Sequence, residues 1–395
     1  MKSLGERTMI SELKLKLILD FKAGTLTGVS RESLKEEAKT LLLNKGLKVE
    51  ETSIGFSQGI RGLKGVEAFK VRVVNLEEPV KGVELKYSGK FRGYDEVFPY
   101  LKDSINQEYT LLRTDSLFYP IPAEPSFESL VKSVVGSEFD AEIIIEGVPA
   151  DLTVAFGGEI QGNLLRIEGT NRLDIAIAPF KVIEEKPFRF FILRDEGIER
   201  TIELLKEAYE FYSSILGRKN LIYTVIETPE NYGGQAGKGY ILVSGSSLRS
   251  EVPTNIYHEL AHLWTPRATP EAHLSRFFDE AFANYLTALA VREIHGEDEY
   301  KKFMANLEWW YKDILKKNPE AKNLKVPEWG RKGLHLLSYS KGALILKELH
   351  DLMGDSFYDL LKAIANADAI DFETFRKLAE GMSERNLQDF FERYF

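Results

Sequence analysis

The first half of the chain alternates apolar and polar positions with a period of two. Leu13-Lys14-Leu15-Lys16-Leu17-Ile18-Leu19 has the pattern of a half-buried strand. Ala23–Gly28 follows as a turn. Strands are also predicted at 68–74, 83–87 and 141–145, separated by Gly and Pro signals. Leu173–Ile177 and, after Pro179, Phe180–Ile183 close this run of short strands. The pattern predicts a β-sandwich-like domain of residues 1–190.

The period changes near Arg194. Ile202, Leu205, Ala208, Tyr209 and Tyr212 fall at helical spacing, and Gly217 stands where a helix stop is expected. A strand at 221–226, a Gly-rich stretch and a strand at 240–243 follow. From Pro253 onward the chain reads as mostly helix, so residues 191–395 form the second predicted domain. The fold class is therefore α+β.

Composition narrows the chemistry. The 395 residues include no cysteine and six histidines. Disulfides, thiolate nucleophiles and thiolate zinc sites are thereby excluded, and any metal must be held by His, Asp or Glu. Lys+Arg 52 against Asp+Glu 61 leaves a net charge of −9, a poor match to nucleic acid. No run reaches the roughly 18 apolar residues of a membrane span. The opening residues Met1–Lys22 lack an apolar core and a small-residue cleavage site, which predicts no signal peptide and a cytoplasmic location.

One segment carries reactive chemistry: Asn255-Ile256-Tyr257-His258-Glu259-Leu260-Ala261-His262-Leu263-Trp264. Pro253 suits the first turn of a helix, and Pro266 is expected to end it. His258 and His262, at i and i+4, leave one face a turn apart and can meet one Zn²⁺. Glu259 is rotated by about 100° and can reach a water at that metal without being a ligand. Chance supplies this spacing at most about 0.014 times in a chain of this composition. Downstream, Glu280 sits among apolar residues on a second helix that runs to Gly296; a buried carboxylate there needs a cation. Asp279 is the natural acceptor for a histidine N–H, and Asn284, one turn on, can assist. His273, His295, His335 and His350 are assigned no metal. Trp309, Trp310 and Trp329 are read as packing residues, with a place along a substrate cleft as the alternative.

The motif H-E-x-x-H followed by Asp279-Glu280-Ala281-Phe282-Ala283-Asn284-Tyr285 resembles the aminopeptidase-N-like zinc metallopeptidases, gluzincins with a thermolysin-like catalytic domain. Seventeen residues separate His262 from Glu280, one fewer than in that family. Ser338-Tyr339-Ser340-Lys341-Gly342-Ala343 resembles the family's Y-x-K-G-A segment. Leu117-Phe118-Tyr119-Pro120 and Asn386–Phe391 are similar to further family elements. The resemblance implies one Zn²⁺ per chain on His258, His262 and Glu280, Glu259 as general base, and Tyr339 as a donor to the oxyanion. It also implies peptide substrates and a short form without the large C-terminal helical domain, whose cleft is either open or closed by a partner subunit; homo-oligomerisation stays open.

One departure concerns substrate recognition. The family binds the substrate's free amine with a Glu in a G-x-M-E-N segment. The matching stretch here is Tyr232-Gly233-Gly234-Gln235-Ala236-Gly237, with Ala236 where that Glu is expected. Gly233, Gly234 and Gln235 can still pair with substrate backbone, and Glu108 lies where a second amine-binding residue is expected. The expectation is a zinc aminopeptidase. A zinc endopeptidase or other zinc hydrolase without amine anchoring, and a non-catalytic peptide-binding protein, are the alternatives.

Overall fold

In the computed structural model, which describes residues 10–136 and 138–395, the first alternating run becomes the strand Ile10–Asp20. Leu13, Leu15, Leu17 and Leu19 face the core, and Lys14, Lys16 and Ile18 do not. Residues 1–9 of the stretch read for a targeting signal lie outside the described residues. The turn that follows is tight: Asp20 Oδ1 accepts from the amides of Lys22 and Ala23, both at 2.9 Å, and Gly24 has φ +66°. That left-handed position suits glycine. The return strand starts at Thr25, three residues earlier than the predicted turn ends, and runs to Asn44.

Two of the strands are far longer than their sequence pattern suggests. The two predicted strands at 68–74 and 83–87 are one strand, Val66–Lys90. Its middle contains Pro79, which cannot donate to a ladder. The pairing absorbs this by slipping register, between Ser33 and Ala38 and again between Ala38 and Thr40 on the partner strand. Such irregularities bend a strand without ending it.

Contacts divide the chain into two compact units, each discontinuous in sequence. The first takes the described residues up to Glu196 together with Leu221–Ser246; the second is Gly197–Asn220 with Ser247–Phe395. The first unit is β-rich. Among the described residues it holds a nine-stranded sheet built around Ile10–Asp20, Thr25–Asn44 and Val66–Lys90, a three-stranded sheet, and a five-stranded sheet. The five-stranded sheet joins Lys181–Glu185 and Phe188–Ile192 to Tyr223–Thr228, Tyr240–Ser244 and the short edge strand Gln235–Gly237.

The second unit is helical. Helix Ile198–Leu216 buries Ile202, Leu205, Ala208, Tyr209 and Tyr212, the face expected from their spacing, and ends at Gly217 with φ +93°. Helix Phe282–His295 is buried along Phe282–Val291 and forms the centre of the unit. No helix among the described residues is long and apolar enough to cross a membrane.

Candidate metal centre

The helix carrying His258 is shorter than Pro266 would allow: it spans Thr254–Ala261, with His262 as its cap in helical conformation. The amides of Leu263 and Trp264 bond three residues back, to Leu260 and Ala261, which tightens the last turn. Trp264 is buried and its Nε1 donates to the Gly217 carbonyl at 2.7 Å, drawing the chain off the helix axis. Both imidazoles keep the i, i+4 relation.

The second carboxylate-bearing segment holds a surprise in its backbone. Arg276 has φ +58°, rare for a residue with a side chain, and Phe277–Ala281 forms a π-helical turn before the regular helix Phe282–His295. Such turns are rare and concentrate at functional sites. Glu280 lies on that turn and is buried.

Three ligand-type atoms converge there. His258 Nε2 is 3.2 Å from His262 Nε2 and 3.1 Å from Glu280 Oε2; His262 Nε2 is 3.6 Å from the same oxygen. Tetrahedral ligands at about 2.0–2.1 Å from zinc stand about 3.3–3.4 Å apart, so the triangle fits that ion. Among the described residues, His258, His262 and Glu280 are the group able to hold a metal.

The remaining polar atoms of the two histidines are also engaged. With Nε2 free for a metal, His258 Nδ1–H donates to Asn284 Oδ1 at 2.9 Å, and Asn284 Nδ2 donates to the Tyr339 carbonyl at 2.7 Å. His262 Nδ1 lies 2.9 Å from Asp279 Oδ1. These partners set each ring's tautomer and orientation. Tyr339 stacks on His258, with ring centroids 6.1 Å apart and planes at 22°. Gly342 lets this segment approach: a β-carbon there would stand 2.6 Å from the Ala281 Cβ.

The charges favour a cation at the triangle. Burial opposes a charged His262, but the Asp279 and Glu280 carboxylates outweigh it and lift its pKa well above the ordinary range. Burial likewise pushes Asp279 and Glu280 up, yet the histidines, with Arg276 at Asp279, hold both below the usual carboxylate range. Glu259 is displaced the other way. Burial raises its pKa, the two histidines oppose, and Glu280 and Asp279 add to the rise. Its Oε2 lies 4.0 Å from His262 Nε2. Burial, then the Glu280 charge, pushes the Tyr339 phenol up.

Sequence reasoning missed Arg276. Its Nε donates to Asp279 Oδ2 at 2.9 Å, and its Nη2 contacts both Asp279 and Glu280. The i, i+3, i+4 spacing of Arg276, Asp279 and Glu280 was the available signal. His295 and His350 bond to Tyr257 and Tyr285 instead of joining the triangle. Trp329 is buried, whereas Trp309 and Trp310 are exposed.

The residues read as substrate-binding belong to the first unit. Glu108 is exposed, in a turn where Asn106 Oδ1 accepts from the amides of Glu108 and Tyr109, both at 2.9 Å. Its charge, behind burial and Asp103, helps raise the pKa of Tyr232. Gly233 has φ +70°, Gly234 is exposed, and Gln235 starts the edge strand opposite Leu242. Glu108 thus stands in the electrostatic neighbourhood of the residue that precedes the glycines.

Comparison with known proteins bears on the whole arrangement. Residues 240–394 match the peptidase family M1 domain. A 116-residue stretch is 32% identical to human endoplasmic reticulum aminopeptidase 2, covering 28% of this chain and 12% of that protein. Leukotriene A4 hydrolase from Saccharomyces cerevisiae shares the fold, with a TM-score of 0.62 at 16% identity over 98% of this chain and 66% of that one. The M1 zinc metallopeptidase of Deinococcus radiodurans superposes with a TM-score of 0.57 at 17% identity, over 99% and 94%. The chain thus spans less than two thirds of the human protein and of the yeast enzyme. Residues 240–394, which carry the His-His-Glu group, thus match the peptidase family M1 domain, in a chain that shares the fold of M1 zinc metallopeptidases.

Proposed function

We propose that the protein is an aminopeptidase that removes N-terminal residues from peptides, with one zinc per chain held by His258, His262 and Glu280. The observation that carries this reading is the triangle of two imidazole nitrogens and one carboxylate oxygen, with Glu259 beside it. When bound, zinc supplies Lewis-acid polarisation of the substrate carbonyl and acidifies a water. Glu259 takes the proton of the attacking water and delivers it to the leaving amine; its raised pKa suits both acceptance and return. The Tyr339 phenol O–H donates a hydrogen bond to the developing oxyanion. Asn284 and Asp279 hold the histidine rings in place.

Exopeptidase specificity draws support from the kinship to human endoplasmic reticulum aminopeptidase 2. A mutant of the Deinococcus enzyme is bound to a Tyr-Ser-Ala substrate, and we extend peptide substrates to this chain on that basis. In this reading Glu108 and the Gly233–Gln235 run of the first unit receive the peptide's free amine end. Ala236 in place of an acidic residue favours the second reading, a hydrolase without amine anchoring.

The deciding experiment compares aminoacyl anilides with free and acetylated amines, after metal content has been measured. Zinc at one per chain, a strong preference for free amines, and a loss of about 10²–10⁴-fold in Glu259→Gln with zinc retained are expected. Equal rates on both substrates would replace the aminopeptidase by the unanchored hydrolase. Absence of metal-dependent hydrolysis would leave a peptide-binding protein.

A further inference from the structure

Arg113 is one of the largest fully buried side chains in the molecule, and all three of its nitrogens are engaged. Its Nε and Nη2 grip Asp103 at 2.8 and 2.5 Å, and Asp103 Oδ2 also accepts from Ser116 Oγ at 2.6 Å. Of the three N–H donors that remain, two reach backbone carbonyls. Nη2 donates to the Tyr100 carbonyl at 2.8 Å, and Nη1 donates to the Tyr232 carbonyl at 2.9 Å. The guanidinium therefore staples two segments that are far apart in sequence.

The loop end of that staple has an unusual backbone. Asn231 has φ +65° and Gly233 φ +70°, so two left-handed residues bracket the carbonyl that Arg113 holds. Asparagine tolerates that region better than most residues, but it is still uncommon. Tyr100 packs directly on the loop, its Cβ 3.0 Å from where a β-carbon of Gly233 would stand. From the other segment Tyr109 meets the Tyr232 ring edge-on, with centroids 5.3 Å apart. A fully buried ion pair is a costly way to hold a surface loop. Its fork geometry explains the choice, since a guanidinium can serve a carboxylate and two carbonyls in one plane.

We infer that Arg113, oriented by Asp103, is a positioning residue that sets the spacing between the Glu108 turn and the Tyr232–Gln235 loop, and through it the affinity for a peptide's N-terminal end. This rests on the proposed function above, in which those two segments receive the free amine. Arg113 touches no substrate in this account. It acts through the Tyr232 and Tyr100 carbonyls.

The test uses steady-state kinetics of the full chain on a free-amine peptide anilide. Arg113→Lys keeps the charge opposite Asp103 but lacks the fork needed for both carbonyls. KM is expected to rise about tenfold with kcat and zinc content near wild type, the signature of lost binding that is equal in ground and transition states. Ser116→Ala removes one hydrogen bond from Asp103 and leaves the guanidinium and the loop unaltered; it is expected to raise KM by a smaller factor with the same kcat, and it decides the matter if Arg113→Lys does not fold. Wild-type preference for free amines with unchanged KM in the folded variants would overturn the positioning role and leave the aminopeptidase reading standing. A wild type that ignores the amine would remove that reading, and the inference with it.

Discussion

Gly342 lies so close to Ala281 that a β-carbon on it would stand 2.6 Å from the alanine's own. Ala281 follows Glu280 in the π-helical turn, and Gly342 is the second residue of the helix Lys341–Met353, three residues after Tyr339. The glycine is what allows Tyr339 and Glu280 to share one site. Gly342→Ala is expected to lower stability by about 1–3 kcal/mol through overpacking. It should also reduce activity by displacing Tyr339. Thermal unfolding together with kcat measures both; unchanged values would mean that the two segments separate freely.

Asp279 bonds the imidazole nitrogen of His262 that faces away from the triangle. Removing such a partner typically costs about 10–100-fold in metal affinity. Asp279→Ala should therefore lose zinc to a chelator at lower concentration than wild type, with Asp279→Asn intermediate. Equal chelator midpoints would show that the ring needs no such support.

Metal removal should weaken the fold as well as the chemistry. Glu280 and Asp279 are neighbouring carboxylates, and a cation at the triangle relieves their repulsion. At a metal concentration roughly 100 times Kd, binding to the folded state alone contributes about 2.7 kcal/mol. Chelation should lower the melting temperature, and added zinc should restore it. A melting curve indifferent to both would argue against a site preformed in the fold.

Glu32, in the first unit, carries a pH dependence of its own. It is buried on the strand Thr25–Asn44, and neither carboxylate oxygen has a hydrogen-bond partner among the described residues. Burial raises its pKa well above 4.5. The folded state thus holds this proton more tightly than the unfolded chain. Stability from this group is full below the unfolded pKa and falls as pH rises toward the folded one. Across that window the loss is about 1.4 kcal/mol per pH unit. Glu32→Gln should remove this slope and melt higher than wild type at neutral pH. Parallel melting-versus-pH curves for the two proteins would contradict it.

Much of the site was legible because its geometry is local. His258, Glu259 and His262 depend only on helical spacing, and Asp279, Glu280 and Asn284 fall within two turns of one another. The bonds of Asp279 to His262 and of Asn284 to His258 follow from which residue types bear free acceptors near an imidazole. Arg276 is signalled only by its i, i+3, i+4 spacing to Asp279 and Glu280; the left-handed backbone and π-turn that bring it there have no sequence period. Val66–Lys90 was read as two strands because Pro79 looks like a terminator; only the register slip of its partner makes it tolerable. Arg113 gave no signal at all, since nothing local distinguishes an arginine that will be buried.

The route of the chain between its two units has a consequence for dissection and exchange. The backbone passes from one unit to the other after Glu196, after Asn220 and again after Ser246. A fragment starting at residue 197 would carry Tyr223–Thr228 and Tyr240–Ser244 without Phe188–Ile192, which pairs alongside Tyr223–Thr228. It would expose the parallel edge of a sheet, a template for aggregation. No single cut yields both units whole. Grafting the helical unit onto another protein would require three splice points, so inheritance as one indivisible block is the expected evolutionary behaviour.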